Sequence, residues 1–401
     1  MAFNKATASP IAFRREGRSN AVGRRRMLTQ WIALLILPLF SLAGDAPETA
    51  PAKHSHGYSY RRDVMPEVPW SIHIFELDRS RREFQFRSTL GNGDTFGLTT
   101  IPEQLQRMPT AMGKPLAAIN GDYYDTDKNY QGRPRDVQIH EGEVVTPPAG
   151  HTSFWIDPQG QPHMTNVFSR FRAIWPDGST SAIGLNAERK EDAAVLYTAV
   201  VGASTRTSGG VELILEGMTN SPWLPLRIGQ EYQARVRTVR NSGNTPLSRD
   251  IGILSVGPDL VSRMPRLQAG AVVRLVTETV PDLTGVRTAI GGGPALVQNG
   301  KVMEWSGMIH VRHPRTALGW NKDSIFLVTV DGRQRDLSVG MTFSELSEYM
   351  RKLGCDQAMN LDGGGSTTLW LSGNVMNNPS EGRERPGANA LVVVQEKLTE
   401  K

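Results

Sequence analysis

The chain has 401 residues, 39% of them hydrophobic and 21% charged, a composition that excludes an intrinsically disordered protein and suffices for one large core. Its net charge of +5 is concentrated at one end: residues before Gly44 hold seven basic side chains against one acid, +6 together, which leaves −1 for the rest and no basic face for nucleic acid. The single cysteine, Cys355, excludes a disulfide framework and a thiolate metal site, and its apolar neighbours suggest a buried structural thiol.

Residues 1–43 read as a signal peptide or N-terminal anchor. Lys5, Arg14, Arg15, Arg18 and Arg24 to Arg26 precede the apolar run from Trp31 to Phe40, and Ser41-Leu42-Ala43 is a small-x-small cleavage pattern. The run is short for a bilayer span and Pro38 breaks it. Arg24-Arg25 also fits the twin-arginine export route loosely. Periplasmic or extracellular localisation is expected, with membrane attachment only through an uncleaved leader. Residues 44–65 lack periodicity and read as a linker carrying His54 and His56, a weak metal pair without a third ligand.

Residues 66–397 are expected to form one α+β catalytic domain, strand-rich, with mixed sheets and few helices. The chain's 40 glycines and 25 prolines favour frequent turns. Trp70 to Leu77 and Glu83 to Leu90 alternate in hydropathy and read as a strand pair around Asp78 to Arg81. A short helix follows from Ile101 to Met108, with Pro102 and Glu103 in its first turn. Lys114 to Ile119 is a buried strand. Residues 132–170 read as strands and turns, and Val211 to Glu216 and Tyr232 to Val239 as half-exposed strands. Further strands are expected at Ile253 to Gly257, Ala271 to Val276 and, interrupted by glycines, Thr288 to Val297. The continuous apolar run Ser324 to Val330 predicts a central strand. The clearest helix starts at Thr342 with Glu345 three residues on, places Phe343, Leu346, Tyr349, Met350 and Leu353 on one face, and stops at Gly354.

Four clusters carry candidate chemistry. In Asn120-Gly121-Asp122-Tyr123-Tyr124-Asp125 small residues free backbone amides and Asp122 or Asp125 supplies a carboxylate; a strand-ending turn is the alternative. In Ile290-Gly291-Gly292-Gly293-Pro294 the glycines permit close approach to a ligand, or form a sheet bulge. His313-Pro314-Arg315-Thr316 offers a proton-transferring imidazole, a guanidinium fork suited to phosphate or carboxylate, and a hydroxyl; an unpartnered exposed arginine is the alternative. In Asn360-Leu361-Asp362-Gly363-Gly364-Gly365-Ser366-Thr367 a carboxylate precedes a glycine run whose amides can form an anion nest; a turn between strands is the bland reading. It is neither a P-loop nor a dinucleotide fingerprint.

Taken in order, these clusters resemble the phosphodiester glycosidase family. Asn377 to Ser380, Arg383 to Arg385 and Asn389 to Val393 resemble its ending, so the likeness covers roughly residues 110–395. The chain departs from the family at Asp122, where a second glycine is common. The resemblance implies a hydrolase cutting the C–O bond of a sugar 1-phosphodiester, with a phosphate monoester as leaving group, on a small substrate or an envelope or exopolysaccharide glycopolymer. By their own chemistry the candidate catalytic residues are Asp362 or Asp122, as base or nucleophile, and His313, which can transfer a proton near neutral pH. Substrate- or phosphate-binding would fall to Asn120, Gly121, Gly292, Gly293, Arg315, Thr316, Asn360, Gly363, Gly364, Gly365, Ser366, Thr367, Arg385 and Asn389. No cofactor is required by these residues. Two other readings stand beside this one. One is a non-catalytic carbohydrate-binding protein; the other is a metal-dependent phosphodiesterase with a divalent cation on Asp122, Asp125 and Asp362. Trp305, Trp320 and Trp370 are either sugar-stacking platforms or core residues.

Overall fold

The Ser324–Val330 strand shows how the sequence builds the fold. Ile325 and Leu327 face one core while Phe326, Val328 and Val330 face another. An unbroken apolar run is what a strand covered on both faces requires. It pairs antiparallel with Trp70–Asp78 on one side and Arg315–Trp320 on the other. The computed structural model, which describes residues 56–219, 221–304 and 310–396, places it third in a seven-stranded sheet. Tyr58–Met65 forms one edge; beyond Arg315–Trp320 lie Gln357–Asn360, Ala295–Gln298 and Lys301–Val302.

The layers follow from the alternation. One face of this sheet packs under the helix Phe343–Lys352, through Leu346, Tyr349 and Met350. Thr342 and Glu345 cap that helix reciprocally: the Glu345 amide donates to the Thr342 hydroxyl at 3.1 Å, and the Thr342 amide to the Glu345 carboxylate at 2.8 Å. The opposite face meets a five-stranded antiparallel sheet, in the order Asn374–Val375, Leu369–Leu371, Lys114–Asn120, Ala390–Gln395, Phe84–Ser88. Leu318, Leu327 and Met359 from one sheet interdigitate with Ile119, Leu391 and Val393 from the other. Truncating a residue such as Leu327 to alanine would cost about 2–5 kcal/mol. The outer face of the second sheet carries Ala118, Ala390 and Val392 against Ile101 and Leu105 of the helix Ile101–Arg107. The result is helix, sheet, sheet, helix.

An eleven-stranded sheet adds the third body of strands. Val272–Val280 pairs with Pro162–Ile174 as well as with Glu231–Arg240, so seven of its strands close into a ring around Phe171, Val236, Leu254 and Leu275. It is mixed through one parallel pair, Thr180–Leu185 with Ala194–Tyr197; the other two sheets are antiparallel throughout. Ala149–Ile156, Thr288–Gly291, Gln138–His140 and Glu143–Thr146 extend it away from the ring. The expected strand-rich α+β architecture is the observed one.

Two sequence expectations change. Tyr58–Met65, placed at the end of the linker, is a full edge strand whose eight residues pair with Trp70–Asp78. Trp70–Asp78 does not pair with Phe84–Ser88: the turn closed by the Arg81 amide on the Asp78 carbonyl carries the chain from one sheet to the other. Phe84 and Phe86 thereby enter the core between the sheets. Trp320 is a core residue, edge-on to Phe154 at 5.6 Å, and Trp370 packs beside the Ile101–Arg107 helix. Cys355 is buried, and burial pushes its thiol up to about 12, as a structural cysteine requires. The leader, His54 and Trp305 lie outside the described residues.

Candidate active site

The four clusters meet where strands of all three sheets end. Gly292 to Pro294 carry the chain from Thr288–Gly291, in the eleven-stranded sheet, to Ala295–Gln298, in the seven-stranded one. The Gly293 amide donates to the Asn360 carbonyl at 2.7 Å, and the Asn360 amide returns a bond to the Pro294 carbonyl at 2.9 Å. The Asp362 amide reaches the Gly121 carbonyl at 2.9 Å; Gly364 reaches Pro314, and Leu361 reaches Thr316. Gly121 donates to the Asn389 carbonyl at 3.0 Å. Backbone hydrogen bonds thus join segments that are up to 268 residues apart in sequence, Gly121 and Asn389 being the extreme.

Close approach explains several glycines. A Cβ on Gly121 would lie 2.3 Å from Ile290, and one on Gly292 2.7 Å from Leu361. A Cβ on Gly291 would meet Asp136 at 2.4 Å and the Asp122 carboxylate at 2.6 Å. Gly364 combines a φ of +64° with the Arg333 guanidinium 2.9 Å from its Cβ position.

Most expected ligand-binding side chains face inward and serve the frame. The Asn120 side-chain amide donates to the Asp362 carbonyl at 2.6 Å, and its oxygen accepts from Thr316 and from the Thr368 amide. Asn360 donates to the Gly293 carbonyl and to the Tyr123 phenol at 3.0 Å. Asn389 accepts from the Asp122 amide at 2.9 Å and donates to Gln138 at 2.7 Å. Each of these groups is almost wholly buried, and Asn120 and Asn389 are satisfied within the protein; Asn360 spends its donors there, while its side-chain oxygen has no partner among the described residues.

Arg315 is neither an exposed arginine nor a free phosphate fork. It lies over the Phe343 ring at 4.0 Å, donates to the Met341 and Val311 carbonyls, and is 7% exposed. The anion nest expected of the glycine run is also largely occupied. Gly363 donates to the Asp362 carboxylate, Gly364 to Pro314 and Ser366 to Gly363, as the segment Gly364–Ser366 winds into a 3₁₀ turn.

The cations over this turn are Arg385 and Arg333. Arg385 donates to the Ser366 hydroxyl at 2.7 Å and the Gly363 carbonyl at 3.2 Å, and stands 3.7 Å from the Asp362 carboxylate. Arg333 is exposed and donates to Nδ1 of His313 at 3.3 Å. Burial, Arg315 and Arg333 all pull the His313 imidazole below its ordinary value, so it stays neutral and orients Arg333 rather than holding a proton. Arg333 is the cation that sequence reasoning missed. Its signal was the Asp331-Gly332-Arg333 turn directly after the central strand. Asp331 is buried there and accepts from Ser71, Asn378 and its amide, and His73, which anchors the turn.

Three carboxylates differ by environment. Asp362 has 14% of its side chain exposed; burial raises it above the usual carboxylate range against the opposing pull of Ser366 and Arg385. Asp122 is 3% exposed, and burial, with Asp136 and Asp362 nearby, pushes it up to about 8. It therefore holds a proton at neutral pH. Asp136, unnoticed in the sequence, donates its amide to Asp122 at 2.7 Å and is 1% exposed. Tyr123 lies beside this group, its phenol raised to about 12 by burial and Asp362. Asp125 turns away to Arg133 and Arg135, and among the described residues no three acidic, histidine or cysteine side chains gather in a metal-holding group.

Residues 252–394 match the family model of phosphodiester glycosidases. The SPbeta prophage-derived uncharacterized protein YomE of Bacillus subtilis (strain 168) is 34% identical over 115 residues, 27% of this chain and 18% of that protein. The N-acetylglucosamine-1-phosphodiester alpha-N-acetylglucosaminidase of Mus musculus is 29% identical over 109 residues, 25% of this chain and 21% of that enzyme. The alignments thus span a small part of these relatives. Among solved structures, a Synechocystis protein superposes with a TM-score of 0.65 at 18% identity, covering 84% of this chain and 62% of that one. A Burkholderia pseudomallei K96243 protein superposes with a TM-score of 0.60 at 20% identity, covering 81% and 74%. These two share the fold.

Proposed function

We propose that this chain, whose residues 252–394 match the family model of phosphodiester glycosidases, hydrolyses the C–O bond between an anomeric carbon and a phosphodiester. The carrying observation is the pairing of Asp362 with Arg385 at 3.7 Å, beneath Arg333 on the same turn. Cleavage of a glycosyl phosphate develops positive charge at the anomeric carbon and negative charge on the departing phosphate. A carboxylate beside the Arg385 guanidinium, with Arg333 over Gly364 of the same turn, matches both charges in the transition state. In this reading Asp362 faces the anomeric carbon, Arg385 and Arg333 receive the phosphate, and Asp122, protonated and buried, supports the floor. A phosphate monoester is a stable leaving group, so the site has little need of a strong acid on the leaving oxygen.

The basic leader, its apolar run and Ser41-Leu42-Ala43 support export to the periplasm or beyond. An envelope or exopolysaccharide glycopolymer with phosphodiester-linked sugars is the substrate class that fits that location. The test is turnover of a panel of sugar 1-phosphodiesters by the wild-type protein and Asp362→Ala. Turnover by the wild type alone supports the reading. Binding without turnover by either would make this a carbohydrate-binding protein instead, and equal turnover by both would remove Asp362 from the chemistry.

A further inference from the structure

We propose that His151, braced by Asp136, takes the proton from the water that attacks the anomeric carbon; this rests on the glycosidase reading above. The backbone sets His151 against Asp136. Between Ala149–Ile156 and Pro162–Ile174, Ala149 faces Phe168 and Thr152 faces Asn166, so one strand carries one residue more than its partner. This bulge contains Gly150, at a φ of +92°, and His151. A bulge re-aims a side chain that regular pleating would send elsewhere.

The re-aimed segment closes on Asp136. The amide of Ala149 donates to its carboxylate at 2.9 Å, that of His151 at 3.0 Å, and the His151 Nδ1 at 3.0 Å. The carboxylate is 2% exposed while the imidazole is 69% exposed. A ring that donates through Nδ1 leaves the lone pair of Nε2 facing outward as a proton acceptor. No partner for Nε2 is present among the described residues.

The pair borders the site on two sides. Asp136 touches Asp122 through its amide, and Thr152, next to His151, lies 3.2 Å from the Cβ position of Gly293. The Gly293 carbonyl binds Asn360 and Tyr123. The other proton acceptors are less suited. Arg333 occupies Nδ1 of His313, Asp122 is buried, and Asp362 stands opposite Arg385. In the step assigned here the bond from the anomeric carbon to the phosphate oxygen breaks and the phosphate leaves with the electron pair. The water oxygen bonds to the anomeric carbon, and the water proton passes to Nε2 of His151 and then to solvent.

The experiment compares wild type and His151→Ala on a sugar 1-phosphodiester, with and without sodium azide, an anionic nucleophile that needs no deprotonation. His151→Ala should lower kcat by roughly 10²–10³-fold, with KM changed by less than about threefold and the melting curve lowered only slightly, because the ring is exposed and the amides of Val137, Ala149 and residue 151 still donate to Asp136. Azide should restore turnover of the variant and yield the glycosyl azide. A variant with wild-type kcat, or a loss that azide does not restore, overturns the proposal while leaving the glycosidase reading intact. Absence of turnover by the wild type overturns both.

Discussion

The amide of Asp362 donates to the carbonyl of Gly121 at 2.9 Å, tying the carboxylate that follows one strand to the loop that follows another in the facing sheet. Asn120 doubles the tie by donating its side-chain amide to the Asp362 carbonyl at 2.6 Å. The position of this mostly buried carboxylate is therefore set by buried backbone. Small changes at the glycines beneath it should be felt at the site.

Gly291 gives the sharpest case. An added methyl group would fall within 2.6 Å of both Asp136 and Asp122, where neither side chain has room to retreat. Gly291→Ala should destabilise the protein by about 1–3 kcal/mol, measured by urea unfolding. It should also lower kcat/KM, whereas Gly160→Ala, on an open surface turn where the φ of +80° makes a side chain cost stability alone, should leave kcat/KM unchanged.

Asp122 makes stability depend on pH. Its folded value of about 8 lies above the ordinary 3.8, so between those values the folded chain keeps a proton that the unfolded chain releases. Stability from this group is full below the unfolded value and declines as pH rises toward 8, by up to about 1.4 kcal/mol per pH unit. Asp122→Asn, which mimics the protonated acid, should remove that decline. Urea titrations at pH 5 and pH 8 measure it; an equal slope in both proteins would contradict the assignment.

Arg385 and Arg333 should be separable from the frame because both reach solvent. Arg385→Ala should reduce kcat/KM by roughly 10²-fold and Arg333→Ala by roughly 10-fold, with little change in melting temperature. Inorganic phosphate should inhibit both variants less than it inhibits the wild type.

The Phe343–Lys352 helix was legible from sequence because its signals are local. Thr342 and Glu345 form the expected reciprocal cap, and Thr342→Ala should cost about 1 kcal/mol in thermal unfolding without changing KM. The central Ser324–Val330 strand was legible for the same reason, since burial on both faces leaves an unbroken apolar run. Strand pairing was not. Alternation marks Trp70–Asp78 and Phe84–Ser88 as strands but carries no information about which sheet each joins. At the site, residue types announced a convergence of polar groups and glycines, yet not the direction each side chain faces. Asn120, Asn360 and Asn389 have the chemistry of ligand donors and spend it on the protein. Arg333, Asp136 and His151 carry no such motif; a turn, a buried amide contact and a bulge bring them there.

The most direct measurement is hydrolysis of a sugar 1-phosphodiester in oxygen-18 water. Attack at the anomeric carbon beside Asp362 predicts label in the released sugar, none in the phosphate monoester, and no product from Asp362→Ala. Label in the phosphate would mean that the P–O bond is cut, contradicting a glycosidase.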